Sequence, residues 1–307
     1  MDFLINWIAA TPGYAAPLLL ASLGLMINER AGVLNLGAEG MMACGALAGA
    51  AFSLTTGSPT VGILASMLAG ALIASLFGFV TVYLRANQVV TGLVVVALGA
   101  GITGVLGRDY VSQTLPGFKA MAWGGLSDLP VIGPILLKQN LLTYLAFLMV
   151  ILVWFGIFRT MTGLRLRAVG EDPATADACG QPVLLTRFLA VVTGGLLCGA
   201  AGGYLTLASS YIWVEGMIAG RGWIAIGLVI FARWRPKLAM LGAILFGAIE
   251  ALVPRVLATG ADVPIYALMM LPYLATLGVL VAASLSNRKS SSEPGNLGIP
   301  YNRQDRH

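Results

Sequence analysis

The sequence predicts an all-α protein, a polytopic transmembrane bundle of about eight to ten membrane helices with its N-terminus outside and its C-terminus in the cytosol. Three observations predict it. Of 307 residues, 58% are hydrophobic and the mean hydropathy is +0.87, which is more apolar surface than a water-soluble domain of this length buries. The apolar residues gather in runs of membrane-crossing length, rich in Leu, Ala, Met and Gly and without the two-residue alternation of barrel strands. Lysine and arginine cluster on one side of the alternating connections.

A hydrocarbon layer about 30 Å thick takes roughly 17 to 25 helical residues to cross. By that measure the runs lie at 4–27, 32–54, 60–83, 88–107, 141–158, 186–209, 222–233, 238–254 and 264–285. The first has no basic region before it and reads as a retained helix rather than a cleaved signal. The seventh is too short to span and is expected to join the stretch from Tyr211 as a broken or re-entrant element. With nine crossings, one side collects Arg30, Arg85, Arg159, Arg165, Arg167, Arg187, Arg233, Arg235, Lys237, Arg288, Lys289, Arg303 and Arg306. The other has Arg108, Lys119, Lys138, Arg221 and Arg255. The richer side is cytosolic by the positive-inside rule. The net charge of +5 is therefore a topology signal and argues against nucleic acid as a partner.

No linker divides residues 1–285, which read as one transmembrane domain with a polar cytosolic segment at 160–185 and a long outer loop at 108–140. Tyr110, Phe118 and Trp123 among Pro and Gly suggest that this loop folds as a cap. The tail 286–307 is polar, poor in aliphatic residues and expected to be disordered.

Soluble-enzyme chemistry finds no residues to work with. The single histidine is His307, so no imidazole base, triad or histidine metal ligand is available. Each lysine follows Phe118, Leu137, Pro236 or Arg288, which excludes the Gly-Lys-Ser/Thr of a phosphate-binding loop. Cys44, Cys179 and Cys198 have neither metal nor disulfide spacing and read as small apolar fillers. "GAGITG", Gly99 to Gly104, matches a dinucleotide fingerprint, but it lies inside an apolar run with no strand before it. Close helix packing is the better reading. Gly45 and Gly49, and Gly195, Gly199 and Gly203, keep i, i+4 spacing and predict further close seams.

Polar groups within apolar runs are costly and mark candidate sites. They are Asn35 and Glu39, read as i, i+4 on one helical face, then Asn87, Gln88 and Thr91, and Glu250. Glu215 and Arg221 are expected near the outer mouth and could pair with each other. Lining a substrate pathway and fixing helix packing are both open for this set.

In the segment 160–185, Asp172 is a good N-cap, Pro173 suits the first helical position, and Gly180 with Pro182 ends the helix. The spacing predicts a helix over 173–179. So short a helix needs a support. Its small residues Ala174, Ala176 and Ala178, with Asp177, are read as an exposed face that a partner could approach.

"TGLRLRAVGEDPATADACG", Thr162 to Gly180, resembles the cytosolic coupling segment of the membrane subunits of bacterial ABC importers, in the branch that imports nucleosides and related simple sugars. "INERAGVLNLGAEGMM", Ile27 to Met42, and "AGRGWIAIGLVIFARWRP", Ala219 to Pro236, resemble two further signatures of that branch, in the same order. Branched-chain amino acid permeases share the superfamily, but their early motif carries a histidine that "GVLNLGAEG" lacks.

The resemblance implies a non-catalytic permease of the bacterial inner membrane, similar to the shorter of two paired permeases. Its implied partners are a cytosolic ATPase, a second, longer permease in a heterodimer, and an extracytoplasmic binding protein or lipoprotein. ATP is bound by the ATPase and no cofactor by this chain. The coupling surface implied is Gly170, Glu171, Asp172, Pro173, Ala174, Ala176, Asp177 and Gly180. An ion-coupled carrier would want paired intramembrane carboxylates, of which Glu39 and Glu250 are a thin version. An intramembrane enzyme lacks its base.

Overall fold

The computed structural model describes residues 2–121, 133–258 and 293–303, with single residues between 268 and 281. Trp123 and most of the ninth apolar run lie outside them. Among the described residues ten α-helices follow in order: α1 (Asp2–Arg30), α2 (Ala38–Thr56), α3 (Pro59–Gly78), α4 (Gln88–Leu106), α5 (Leu141–Arg159), α6 (Met161–Glu171), α7 (Pro173–Ala178), α8 (Val183–Tyr204), α9 (Arg221–Phe231) and α10 (Pro236–Ala258). Wider π-helical turns prolong α3 through Phe79–Tyr83 and α8 through Leu205–Ser210. No strand occurs among the described residues, only two isolated bridges.

Six of these helices are long and apolar enough to cross a membrane: α1, α3, α4, α5, α8 and α10. α2 has 19 residues, is rich in Ala and Gly, carries Glu39 in its first turn and is not among the six. α9 has 11 residues, about 16 Å at 1.5 Å per residue, and covers half a bilayer. The short seventh run thus takes the broken form, as a half-length helix reached through the irregular segment 211–220.

α8 is the hub, packing most extensively on α3, α1 and α2. Many of its contacts bring backbone against backbone. A methyl group at Gly45 would stand 2.5 Å from the Gly199 carbonyl, and one at Gly70 would collide with the carbonyl of Gly195. Gly203 lies against Ser66, and Gly202 against the Met42 carbonyl. In lipid, where apolar side chains gain nothing by leaving solvent, such close approach is what holds helices together. The i, i+4 glycines of the sequence are therefore the α2–α8–α3 seam. Of the fingerprint-like glycines, Gly99 packs on Gly40 in α2, whereas Gly101 meets nothing within 4 Å.

The basic residues gather at one end of the bundle. Arg30 and Arg167 lie over the Phe158 ring, and Arg159 and Lys237 over Trp154. This end also carries α6 and α7. At the opposite end the described part of the long connection after α4 crosses residues 207–213, through Leu115 N–H to the Tyr211 carbonyl (2.8 Å) and Phe118 N–H to the Leu207 carbonyl (2.8 Å). Tyr110 and Phe118 pack onto the core there.

One element is added and one expectation changes. Residues 161–171, whose polarity masks any apolar periodicity, form α6, anchored where Gly170 meets the Arg30 carbonyl. Residues 293–303, for which the composition predicts no fixed structure, lie docked against α6, α7 and α8.

Candidate functional site

Glu39 sits in the first turn of α2. Its neighbour Gly40 packs on Val95 and Gly99, so the carboxylate stands level with the middle of α4. Glu39 Oε1 accepts the Gly220 N–H at 2.8 Å and Oε2 the Gly222 N–H at 2.7 Å. These are orphan donors at the start of α9, and an anion at a helix N-terminus satisfies both them and the dipole. A carboxylate from another helix thus performs the work of an N-cap. The approach requires glycine at 222, where a side chain would stand 2.6 Å from the Glu39 backbone nitrogen.

Asn35 does not share a helical face with Glu39. It lies in the buried connection before α2, because the chain climbs in non-helical form from Val33 to Leu36. Its Oδ1 accepts the Gly37 N–H at 2.9 Å and its Nδ2 points at the Met41 sulfur. Side-chain bonding to the backbone two residues on is the turn habit of asparagine, and it competes with helix.

Asn87, Gln88 and Thr91 lie together at the basic end, away from Glu39. Asn87 caps α4 through Val90 N–H at 3.0 Å, Thr91 bonds the Asn87 carbonyl, and buried Gln88 accepts the Leu34 N–H at 2.7 Å. Each has a packing partner, and none borders the cavity described next.

Arg221, the first residue of α9, does not pair with Glu215. It reaches Glu250 on α10 at 3.1 Å, with side-chain exposures of 21% and 10%. Glu215 lies instead on the irregular segment, exposed, with its carboxylate facing Gly104 near the end of α4. Between Glu39 and Glu215 is a cavity of about 180 Å³, walled by α2, α4 and residues 213–218, with Thr103 as a further polar group. Irregular backbone at such depth is tolerated where it is buried in protein or lines a cavity. A larger cavity, about 590 Å³, is a flank groove between α5, α6 and α8 lined mostly by aliphatic side chains. It offers few partners to a hydroxylated ligand.

At the basic end, Asp172 caps α7 as its sequence predicts. Its Oδ1 accepts from Ala174 N–H at 3.0 Å and Thr175 N–H at 3.1 Å, and its Oδ2 from the Thr175 hydroxyl. The hydroxyl bond, with the two backbone bonds, holds the carboxyl below its ordinary range. Gly180 has φ +77°, the left-handed conformation that ends the helix. Ala174, Thr175, Ala178 and Cys179 are exposed and Asp177 is half-buried, but Ala176 is 4% exposed. The reading of 174, 176 and 178 as one face fails because spacing of two belongs to a strand; on a helix Ala176 shares its face with Pro173 and turns inward with it. Cys179 is exposed, unlike buried Cys44 and Cys198. Gly170 and Glu171 lie at the end of α6, where Gly170 is buried and Glu171 exposed.

Sequence reasoning missed several buried polar residues. Glu29 accepts from Trp234 Nε1 at 2.6 Å, which joins two of the resemblance motifs in space. Buried Tyr204 and Thr143 form a cluster with half-buried Asn140, with 2.7 Å between the Thr143 and Tyr204 hydroxyls. Arg187, counted among the basic residues of the richer side, is 2% exposed. The Glu29–Trp234 pairing had a signal in the motif residues; the partner of Arg187 lies more than a hundred positions away and had none.

The family model for the permease component of branched-chain amino acid transport systems matches residues 8–282. The chain is 39% identical to TsgC13 of Haloferax volcanii, a protein provisionally named as a glucose ABC transporter permease, over 99% of both chains. It is 33% identical to the guanosine ABC transporter permease NupQ of Bacillus subtilis, covering 96% of this chain and 95% of that one. It is 36% identical to the nucleoside ABC transporter permease NupC of Lactococcus lactis, covering 87% and 88%.

Proposed function

The chain belongs to the permease family of branched-chain amino acid transport systems, and we propose that it forms half of the substrate pathway of an ATP-driven importer for nucleosides or related simple sugars. It is a multi-pass plasma membrane protein and a permease subunit. ATP hydrolysis belongs to a partner ATPase, and an extracytoplasmic binding protein or lipoprotein delivers substrate. The relatives' substrates, glucose and nucleosides, favour this reading over branched-chain amino acids, in line with the absence of the histidine from "GVLNLGAEG".

The observation that carries the coupling role is α7: a capped two-turn helix at the basic end with Ala174, Thr175 and Ala178 bare. In this reading the basic end is cytosolic, the N-terminus is outside, and the described helices with the ninth run make eight to ten membrane elements. Residues 1–285 act as one transport domain. The ATPase grips the exposed side of α7, and Gly170, Glu171, Asp172, Pro173, Asp177 and Gly180 shape that side without all touching the partner.

The pathway begins at the cavity between Glu39 and Glu215. At about 180 Å³ it falls short of the roughly 300 to 1,000 Å³ of complete ligand pockets, which supports a second, longer permease as the missing wall, in a heterodimer. Glu215 is the foremost pathway residue. Asn35, Asn87, Gln88 and Thr91 serve the frame around it, and Glu39 joins frame and pathway. No cofactor is assigned to this chain. The test is uptake of labelled nucleoside and of labelled glucose by the full importer, with the ATPase's phosphate-loop lysine intact or replaced, and with Ala174→Trp in this chain. Both changes should abolish uptake, and Ala174→Trp should also release the ATPase on purification. Uptake that persists without ATP hydrolysis would overturn the reading.

A further inference from the structure

We infer that the C-terminal segment Glu293–Arg303 is a transmission strap, which fixes α7 to the bundle so that a push on α7 moves α1 and α8 rather than bending the connections beside it. This rests on α7 being the ATPase contact proposed above.

At the basic end the strap touches α6, α7, α8 and the turn after α1. Asn296 N–H donates to the Gly170 carbonyl at the end of α6 (3.0 Å), and Gly298 N–H to the Gly32 carbonyl in the turn after α1 (3.2 Å). Gly295 N–H faces the Glu171 carboxylate at 3.4 Å. Tyr301 lies against Val169 of α6, Ala176 of α7 and Val183 of α8, a small apolar cluster separate from the main core. Arg303 pairs with Asp177 at 2.8 Å.

Arg187 of α8 indicates that this docking is built in. Its guanidinium is 2% exposed, and it donates to the Ile299 carbonyl at 3.0 Å and Asn296 Oδ1 at 2.8 Å. Both acceptors belong to the strap. A buried arginine stripped of its acceptors is strongly unfavourable, so the segment and α8 are matched to each other.

The mechanical need is plain from α7 itself. It has six residues and buries only Pro173 and Ala176, too little to hold a helix of that length against force. Without Tyr301 and Arg303 its inward face would rest on α6 and α8 alone. An extended connection such as Asp172 at one end and Gln181–Pro182 at the other can rotate without disturbing the bundle. The strap closes that freedom by bridging α7 to Gly32 and Arg187, which belong to the bundle proper. Energy from a bound ATPase shifts the bundle only if α7 and the bundle move together.

The experiment uses the complete importer in proteoliposomes, with this chain as wild type, ending at Ser292, Tyr301→Ala or Tyr301→Phe. Both ATP hydrolysis and uptake of labelled nucleoside or glucose are read. Tyr301→Ala should keep the ATPase at the wild-type ratio on purification while uptake per ATP falls roughly fivefold or more, the low end of ordinary coupling energies. Tyr301→Phe, which keeps the packing, should restore most of it. The chain ending at Ser292 should be at least as uncoupled as Tyr301→Ala. Unchanged uptake per ATP in Tyr301→Ala overturns the strap. So does loss of the ATPase from that variant, which would make the segment a docking or folding element. A failure of the α7 contact itself is distinct: Ala174→Trp would then retain the ATPase, whatever the Tyr301 variants do.

Discussion

The α1–α2–α3–α8 side and the α4–α9–α10 side of the bundle are drawn from equally greasy sequence, yet different forces hold them. On the first, glycines bring backbones together until no side chain fits between them, as at Gly45 and Gly199. On the second, polar joints stand beside close glycine contacts such as Gly99 on Gly40 and Gly247 on Ala15: Glu39 on the start of α9, and Arg221 on Glu250. Close backbone packing leaves no slack, and interiors packed this way resist small displacements. Hydrogen-bonded joints can exchange partners, and the cavity lies among them. The difference locates the rigid frame on one side and the part able to change shape on the other.

The comparison breaks most visibly at the seam. Gly199→Leu would drive a side chain into the Ser66 carbonyl and Gly70; backbone atoms cannot step aside as a flexible side chain can. The cost should exceed about 4 kcal/mol, the range in which single changes unfold proteins. Loss of monodisperse protein from detergent extracts is the expected readout. Gly101→Ala, whose added methyl meets nothing within 4 Å, should extract like wild type.

Next comes the ion pair. Glu250→Ala would leave Arg221 at 21% exposure without its carboxylate. Removing one partner of a buried pair costs about 3 to 5 kcal/mol, and the partial exposure here places the expectation at or below the low end of that range. Arg221→Met combined with Glu250→Met should recover much of the loss, since no orphan charge remains. A double variant as unstable as the single ones, by thermal unfolding in detergent, would show that the pair does more than neutralise itself.

Glu39 comes third. Glu39→Ala strands the Gly220 and Gly222 N–H groups, at about 1 to 3 kcal/mol for an unsatisfied buried group. Glu39→Gln keeps one acceptor and should lose less. Hydrogen exchange at the start of α9 would reveal whether the joint is the one that opens.

The sequence disclosed the two sides unequally, for physical reasons. Seam glycines are legible because helix packing is periodic, and Gly195, Gly199 and Gly203 repeat at four. The α7 helix is legible because Asp172, Pro173 and Gly180 each act locally. The polar joints depend on partners 29 to 183 positions apart, so their residues could be picked out but not paired. Glu215 was matched with Arg221 on nearness in sequence alone, and Glu250 took its place. Asn35 was assigned a helical face because apolar periodicity ran through it, although its own side chain ends the period. The strap was invisible because polar composition reports only that a segment cannot build a core of its own, and this one borrows Val169, Ala176 and Val183.

The smallest expected effect on stability is at Glu215, and it separates frame from pathway most sharply. Its carboxylate is exposed and makes no hydrogen bond or ion pair with the described residues, so Glu215→Gln should change unfolding by less than about 0.5 kcal/mol. If the cavity receives a hydroxylated substrate, the same change removes a carboxylate acceptor from its wall. Hydrogen bonds to charged groups contribute about 1.5 to 3 kcal/mol, so apparent substrate affinity in proteoliposome uptake should weaken about tenfold or more. Glu39 cannot give so clean a separation, because its two oxygens already hold α9 and any change there moves frame and cavity together. Equal uptake curves for Glu215→Gln and wild type would remove this residue from the pathway and return the cavity to the status of slack between helices.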